Sequence, residues 1–190
     1  MKRRIMVVED ESIVRLDVAM MLEDAGYEVV AQAGDGEKAI EQAFLFEPDL
    51  IIMDIKIPKL NGLKASEIIS KRLNTPILLL TAYSQREYVD KAKQANIMGY
   101  LVKPINEANL IPAVEIALRQ AENANAYREQ VELMNKQLDE RKMIEKAKGI
   151  LMQKLNLAEE DAFRKMRKIS MNKQVTMENV AKKIIVKYNG

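Results

Sequence analysis

Five short apolar runs, separated by segments with helical periodicity, constrain the fold of the first 120 or so residues. The runs cover residues 4–8, 28–32, 50–53, 76–80 and 98–102. The helical segments cover roughly residues 12–25, 36–46, 63–72 and 84–95, and a further one that begins near residue 106. Strands that are apolar on both faces belong to parallel sheets covered by helices on both sides. The pattern predicts an α/β fold with a five-stranded parallel, doubly wound (flavodoxin-like) sheet.

Polar residues lie at the ends of four of these predicted strands. Glu9 and Asp10 follow the first strand. Asp54 ends the third strand, Thr81 ends the fourth and Lys103 ends the fifth. The carboxyl ends of the strands meet at one edge of a doubly wound sheet, where ligands bind. We therefore expect these five side chains to lie close together.

The residue types at this edge suit phosphoryl transfer. Three carboxylates, in a chain with no His and no Cys, suit a hard cation such as Mg²⁺. A cation keeps Asp54 ionised, so that it can attack phosphorus. Lys103 can offset the charge of the transferring group, and Thr81 can donate to its oxygens. Strand-end acids paired with lysines are the alternative, which stays open for each residue singly but is weaker for all five together.

The composition excludes several kinds of site. The 190 residues are 48% hydrophobic and 31% charged, enough for one ordinary domain and a smaller one. Without His or Cys the chain can form no disulfide, zinc–thiolate site or His-based triad. The longest apolar runs are too short to cross a bilayer, and the N-terminus has no signal-peptide pattern. We expect a cytoplasmic protein with no membrane partner.

The order of the strand-end residues resembles the receiver domain of two-component response regulators. The resemblance covers roughly residues 3–120. It rests on Glu9-Asp10, Asp54 with Pro58 and Gly62, Thr81, Tyr100 and Lys103-Pro104.

This resemblance implies a role for each residue. Asp54 would accept a phosphoryl group from the phosphohistidine of a sensor histidine kinase, and Lys103 would contact that group. Thr81 and Tyr100 would form a switch pair that moves inward on phosphorylation. The Lys103-Pro104 peptide would be cis. The Mg²⁺ ligands would be Glu9, Asp10, Asp54 and the backbone carbonyl of Lys56. At residue 9, many members of the family have Asp, and Glu keeps the charge.

Apolar residues spaced three and four apart follow the predicted receiver domain. They are Ala124, Tyr127, Val131, Met134 and Leu138, which we call the seam. Two such heptads are typical of a dimeric coiled coil, although a single amphipathic helix packed on its own domain is an alternative. We divide the chain into a receiver domain (1–120), a coiled-coil linker (121–138) and a second domain (139–190), and expect a homodimer on phosphorylation.

The second domain is predicted to be a small bundle of three helices. The first helix continues from the linker to about Leu155, which we place on the inward face. The second covers residues 158–169, with Asn156 as its cap and Phe163 facing inward. A loop of about six residues (SMNKQV) follows, and Thr176 caps the third helix.

The tail is strongly basic. From residue 141 to residue 190 it has thirteen Lys or Arg and five Asp or Glu, a net charge of +8, which leaves −6 on the rest of the chain. This asymmetry indicates a polyanionic partner, or alternatively only a solvated lysine-rich surface.

The sequence of the tail resembles the ANTAR domain, an RNA-binding module of transcription antiterminators. The resemblance covers about residues 135–188 and rests on Ala147 to Met152 (AKGILM), Ala162-Phe163, Met166-Arg167 and Asn179-Val180-Ala181. The whole chain resembles antiterminator regulators of catabolic operons, in particular ethanolamine utilisation. This implies a phosphorylation-activated regulator, rather than an enzyme, that binds paired RNA hairpins and prevents transcription termination.

Basic and amide side chains near two of the tail helices are the predicted RNA contacts. They are Lys142, Lys146, Lys148, Gly149, Gln153, Arg164, Arg167, Lys168, Asn172 and Lys173. Gly149 admits either a nucleotide or a tightly packed helix, and the sequence favours neither. A DNA-binding helix-turn-helix is a second hypothesis, and the predicted six-residue loop argues against it because the usual turn is shorter. A protein-interaction tail is the third.

Overall fold

The first compact unit, which extends to Asn125, is built on a five-stranded sheet. The structure is a computed structural model that describes residues 2–82 and 96–189. The predicted helix over residues 84–95 lies outside the described residues. The strands are β1 (Arg4–Val8), β2 (Glu28–Ala33), β3 (Leu50–Asp54), β4 (Ile77–Thr81) and β5 (Ile97–Val102). All neighbours are parallel, in the order β2-β1-β3-β4-β5, which confirms the predicted fold class.

The described helices are α1 (Ser12–Asp24), α2 (Gly36–Phe46), α3 (Gly62–Ser70), α4 (Glu107–Leu155), α5 (Glu159–Lys173) and α6 (Met177–Asn189). None of them combines the length and apolar character that crossing a bilayer requires. The two cores of the first unit lie on opposite faces of the sheet. Ile51 and Met53 of β3 belong to the core under α2 and α3, whereas Leu50 and Ile52 belong to the core under α1 and the start of α4. β3 is therefore apolar on both faces until it reaches Asp54.

The second compact unit runs from Ala126 to the C-terminus and packs α4, α5 and α6 around a small core. Its buried residues are Ala147, Leu151, Ala162, Met166, Val180, Ala181 and Ile184. Removing such side chains from water contributes about 1.5–3 kcal/mol for each large residue. The third helix begins as predicted, because the Thr176 hydroxyl accepts from the Asn179 N–H at 3.2 Å.

Several predictions for this unit are wrong. Asn156 does not cap α5: its φ of 51° places it in the left-handed region after α4, and the N-cap is Ala158. Phe163 is 44% exposed and Leu155 is 37% exposed, so neither faces inward fully. The six-residue loop is also wrong, because α5 continues to Lys173 and only residues 174–176 separate it from α6. The two predicted domain boundaries, after residues 120 and 138, stay predictions.

Candidate functional site

An acidic cluster lies at the carboxyl edge of the sheet. One carboxylate oxygen each from Glu9, Asp10 and Asp54 lies within 4.8 Å of the other two. β1 and β3 are neighbours in the sheet, so the residues that end or follow these strands meet there. Glu9 is fully buried, Asp54 is 5% exposed and Asp10 is exposed. Two of the three negative charges are therefore withdrawn from water, which is costly without a nearby cation.

Lys103 supplies a positive charge to this cluster. Its Nζ lies 2.6 Å from Glu9 Oε2 and 2.6 Å from Asp54 Oδ2. Burial lowers the pKa of Lys103, but its hydrogen bonds to Asp54 and Glu9 outweigh this and raise the pKa above its usual value. Burial, with the charge of Asp54 adding to it, raises the pKa of Glu9 even though Lys103 opposes the shift. The three side chains thus form one coupled group.

The loop between β3 and α3 (residues 55–61, the β3–α3 loop) begins at Asp54. The Lys56 N–H donates to Asp54 Oδ1 at 3.1 Å, which orients the carboxylate. At the other end of the loop, the Gly62 N–H donates to the Ile55 carbonyl at 3.0 Å. A Cβ added at Gly62 would lie 2.0 Å from the Asp54 carbonyl oxygen. Glycine is therefore required there for the loop to close over Asp54.

The predicted switch residues occupy different environments. Thr81 is 7% exposed at the end of β4, and its carbonyl accepts from the Lys103 N–H at 2.8 Å. Tyr100 lies on the edge strand β5 and is 52% exposed. The peptide between Lys103 and Pro104 is cis, as the resemblance implies. Thr81 thus lies at the acidic edge, while Tyr100 points into solvent.

The acidic cluster fits a hard divalent cation. Its converging side-chain donors are carboxylate oxygens, the ligand type that Mg²⁺ prefers. A buried carboxylate such as Glu9, whose pKa burial raises, gains most from a second positive charge. The donor set therefore agrees with the implied ligands Glu9, Asp10 and Asp54, and Lys56 is adjacent to them in the β3–α3 loop.

Sequence reasoning missed residues that support this edge from outside the strand ends. Arg15 on α1 donates from Nη1 to the Glu9 carbonyl oxygen at 2.5 Å. Asp35 and Gly36, at the start of α2, contact the β3–α3 loop at Lys59 and neighbouring residues. The Asp35-Gly36 pair at the start of a helix was a usable sequence signal, because glycine allows another backbone segment to approach closely. The ion pair between residues 35 and 59 has no signature in the sequence.

Most of the predicted RNA contacts lie on the surface of the second unit. The exposed ones are Lys142, Lys146, Gln153, Arg164, Arg167, Lys168, Asn172 and Lys173. Lys148 differs from them, because it is only 9% exposed. Its Nζ lies 2.6 Å from Glu145 Oε2 and 2.8 Å from Glu159 Oε1. The hydrogen bonds that Lys148 donates to these carboxylates raise its pKa, so its ammonium joins α4 to the first turn of α5.

Gly149 is open. Apart from its chain neighbours and its own helix backbone, no atom of the described residues lies within 4 Å of a Cβ built there. Tight packing against another described helix of this chain therefore does not explain the glycine, and the nucleotide alternative stays a prediction.

Four of the five seam residues are exposed in the single chain. Tyr127 is 69% exposed, Val131 55%, Met134 61% and Leu138 51%, whereas Ala124 is partly buried. Packing of this stripe on its own domain, the alternative to a coiled coil, is therefore not observed for these four side chains.

Comparison with known proteins identifies both parts of the chain. The response regulator receiver domain family matches residues 5–115, and the ANTAR domain family matches residues 132–185. The transcriptional regulatory protein PdtaR of Mycobacterium tuberculosis (strain H37Rv) is 44% identical over 184 residues, which cover 96% of this chain and 89% of PdtaR. The chemotaxis protein CheY of Thermotoga maritima is 31% identical over 115 residues, which cover 60% of this chain and 96% of CheY.

Solved structures agree with these matches. The receiver domain of the response regulator NarL from Mycobacterium tuberculosis superimposes with a TM-score of 0.59 and 28% identity. The match covers 62% of this chain and 97% of that structure. The acidic edge, the sheet order and the family matches lead to the same conclusion: this chain belongs to the response regulators, with an N-terminal receiver domain and a C-terminal ANTAR domain.

Proposed function

We propose that this response regulator is a phosphorylation-activated antiterminator that binds hairpin RNA in nascent transcripts. The observation that carries the proposal is the acidic edge at Asp54 in a chain whose second unit is a basic ANTAR domain. The first part receives a signal as a phosphoryl group, and the second acts on RNA. A cytoplasmic location is part of the proposal, because bacterial transcripts are made there.

Asp54 is the proposed phosphoacceptor. A carboxylate oxygen of Asp54 forms a bond to phosphorus as the bond between phosphorus and the imidazole nitrogen of the kinase phosphohistidine breaks. The imidazole leaves with the bonding electron pair, and Asp54 becomes an acyl phosphate. The Lys56 N–H holds the carboxylate in position for this attack. The phosphohistidine cannot come from this chain, which has no His.

Charge on the transferring group has to be offset. Lys103 Nζ, now 2.6 Å from Asp54, is placed to contact a phosphoryl oxygen once Asp54 is modified. Thr81, at the same edge, is placed to donate its hydroxyl to a second oxygen. Mg²⁺ bound by Glu9, Asp10, Asp54 and the Lys56 carbonyl would supply the remaining positive charge.

The switch is proposed to run through Thr81 and Tyr100. If Thr81 moves toward a phosphoryl group on Asp54, it vacates space near the end of β4. Tyr100, which is 52% exposed, is a neighbouring side chain on β5 that can turn inward to fill this space. Phosphorylation would thereby change the surface of the edge strand.

The ANTAR domain is proposed to bind an RNA loop beside Gly149. Sequence-specific RNA readers contact loops with unstacked bases, where close backbone approach is useful. The space around Gly149 permits such an approach, and exposed cations such as Lys146 and Arg167 surround the bundle. Two hairpins bound by two copies of the chain would gain from effective concentration, with the seam joining the copies. An ethanolamine-utilisation operon is one target to test.

DNA binding is the second candidate function. The three residues between α5 and α6 match the short turn of a helix-turn-helix, which removes the objection raised by the predicted longer loop. The match to the ANTAR family, as an RNA-binding module, is the reason that we place RNA first.

The test is binding to a two-hairpin leader RNA, with a matched DNA duplex beside it, with and without beryllofluoride as a phosphoryl mimic. Salt must be held fixed, because phosphate contacts make affinity salt-dependent. We expect hairpin binding that strengthens on activation and loses this response in Asp54→Asn. Asp24→Asn, an exposed acid at the end of α1, is the matched control. Preference for the duplex would show that the second domain binds DNA instead of RNA.

A further inference from the structure

The corner between β2 and α2 (residues 34–36, the β2–α2 corner) is in direct contact with the β3–α3 loop. The Gly36 N–H donates to the Pro58 carbonyl at 3.3 Å. A Cβ built on Gly36 would lie 2.0 Å from the Leu60 carbonyl oxygen. No side chain fits between two backbones at that distance, so glycine permits the contact and the contact fixes the far half of the loop.

An ion pair also joins the β2–α2 corner to the β3–α3 loop. Lys59 Nζ lies 3.0 Å from Asp35 Oδ2, and the Asp35 side chain is only 10% exposed. The other oxygen, Oδ1, accepts from the Lys38 N–H at 2.9 Å and caps α2. The Lys38 N–H and then the hydrogen bond from Lys59 hold the pKa of Asp35 below its usual value. Asp35 therefore stays charged near neutral pH and ties the loop to the start of a helix.

Lys59 itself adopts an uncommon backbone conformation. Its φ is 63°, in the left-handed region that residues with a side chain rarely occupy. Such a conformation persists when surrounding contacts determine it. Here the surrounding contacts are the ion pair to Asp35 and the hydrogen bond from Gly36 to the preceding residue.

The β3–α3 loop is thus held at both ends, with Lys56 between them. At the near end, Gly62 packs on the Asp54 carbonyl and the Lys56 N–H binds the Asp54 carboxylate. At the far end, the β2–α2 corner holds Pro58 to Leu60. We infer that Asp35, Gly36 and Lys59 are positioning residues that fix the Lys56 carbonyl for the divalent cation. The inference rests on the proposed metal site and adds to it the contact that sets its geometry.

Electrostatics alone predicts the opposite result, which makes the inference testable. Lys59 is a cation near a site for a cation, so simple removal of its charge would strengthen Mg²⁺ binding. Loss of a positioning contact would instead weaken Mg²⁺ binding, since mutation of a group that orients a metal ligand typically lowers the affinity for the metal. The sign of the change therefore separates the two explanations.

The experiment is isothermal titration of the full chain with MgCl₂, with thermal unfolding of each variant in EDTA as a second readout. Lys59→Met keeps the stem and removes the charge, and Lys59→Arg restores it. Lys64→Met is the matched control, because Lys64 has a similar exposure (55% against 50%) and pairs with Glu67 instead of the corner. Gly36→Ala breaks the backbone contact directly.

We expect Lys59→Met to weaken Mg²⁺ binding by about tenfold, the lower end for losing a group that orients a metal ligand, with Lys59→Arg close to the parent and Lys64→Met unchanged. Gly36→Ala should weaken it further, and if that variant does not fold, Lys59→Met decides. Equal or tighter binding by Lys59→Met would overturn the inference alone. A parent chain that binds no Mg²⁺ would overturn both the inference and the metal site of the proposed function.

Discussion

Lys103 offsets the charge of the two buried carboxylates at the acidic edge. It contacts the buried carboxylates of Glu9 and Asp54 at the same distance, 2.6 Å. Removing one partner of a buried charge pair leaves the other desolvated and unpaired, which costs more than the pair contributes. The stability of the receiver domain should therefore depend on the lysine most strongly when Mg²⁺ is absent.

Lys103→Gln tests this dependence. We expect the free energy of unfolding in EDTA to fall by about 3 kcal/mol, the lower end for removing one partner of a buried charge pair. Added Mg²⁺ should stabilise the variant more than the parent, because the cation replaces the lost charge. Urea unfolding with and without Mg²⁺ measures both effects, with Lys64→Gln as the control. A variant as stable as the parent in EDTA would contradict this view of the edge.

The pair between Lys148 and Glu159 is the corresponding link in the ANTAR domain. The hydrogen bond from Lys148 holds the pKa of Glu159 below its usual value. A lowered carboxyl pKa contributes stability above the unfolded-state pKa, and this contribution is lost as the pH falls through the folded-state pKa. The link should therefore stabilise the domain at neutral pH and fail in acid.

Glu159→Gln is expected to unfold at a lower temperature than the parent at pH 7. The difference should shrink as the pH falls below the ordinary glutamate pKa of about 4.3, because the parent then loses the same charge. Circular dichroism melts across this range measure it. Glu160→Gln is the neighbouring control, since Glu160 is 88% exposed and lies 3.7 Å from Arg164 on its own helix. A difference that grew in acid would refute the assignment.

At the scale of elements, α4 carries Gly149 at a position where no packing against the described residues requires a glycine. Gly149→Ala should stabilise the helix by about 1 kcal/mol, because glycine is unfavourable in a helix interior and the new methyl group, beyond its chain neighbours and its own helix backbone, meets no atom of residues 2–82 or 96–189 within 4 Å. RNA affinity should fall if a nucleotide backbone approaches this face. Thermal melts and hairpin titrations separate the two effects, and Lys146→Ala gives the loss expected from a charge alone. Unchanged RNA affinity would remove Gly149 from the proposed interface.

The elements that were predicted well are those with a buried face. The strand bounds agree with the sequence to within one residue, because apolar runs such as residues 50–53 mark strands buried on both faces. The end of α5 was missed, since its last inward residue is near Ile169 and the final turn is solvent-facing. The prediction that Asn156 caps α5 was wrong for another reason. Asparagine is common both at the N-cap of a helix and in the left-handed conformation that follows a helix.

The acidic edge was equally predictable, because parallel strands bring their ends to one edge wherever the order of elements is known. The ion pair between Asp35 and Lys59 was not predictable, since the two residues are 24 positions apart in the sequence and their pairing depends on how two loops meet. Lys148 shows the same limit. Its position in a basic tail indicated an RNA contact, but two carboxylates from different helices surround it.

At the scale of the whole molecule, four of the five seam residues are exposed apolar side chains in a single chain. Val131→Lys should place a charge in the proposed dimer interface and prevent pairing of two copies. We expect affinity for a two-hairpin RNA to fall by about 10²-fold or more, while affinity for a single hairpin stays the same, since only the linked gain is lost.

Analytical ultracentrifugation and titrations with one-hairpin and two-hairpin RNAs check this prediction. Gln137→Lys adds the same charge to an exposed position of the same helix that lies outside the seam. If both variants lost affinity equally for both RNAs, the seam would have no role in dimerisation and the added charge would act on RNA directly.

The backbone contact between Gly36 and Leu60 also limits how the receiver domain can be re-engineered or diverge. Two loops that touch main chain to main chain cannot change length independently, because an insertion in either one breaks the contact. A chimaera that borrows residues 55–62 from another receiver should therefore borrow residues 34–36 from the same donor. For protein design, the segment that carries Asp54 is a pair of loops that fit each other, and an exchange should keep the pair together.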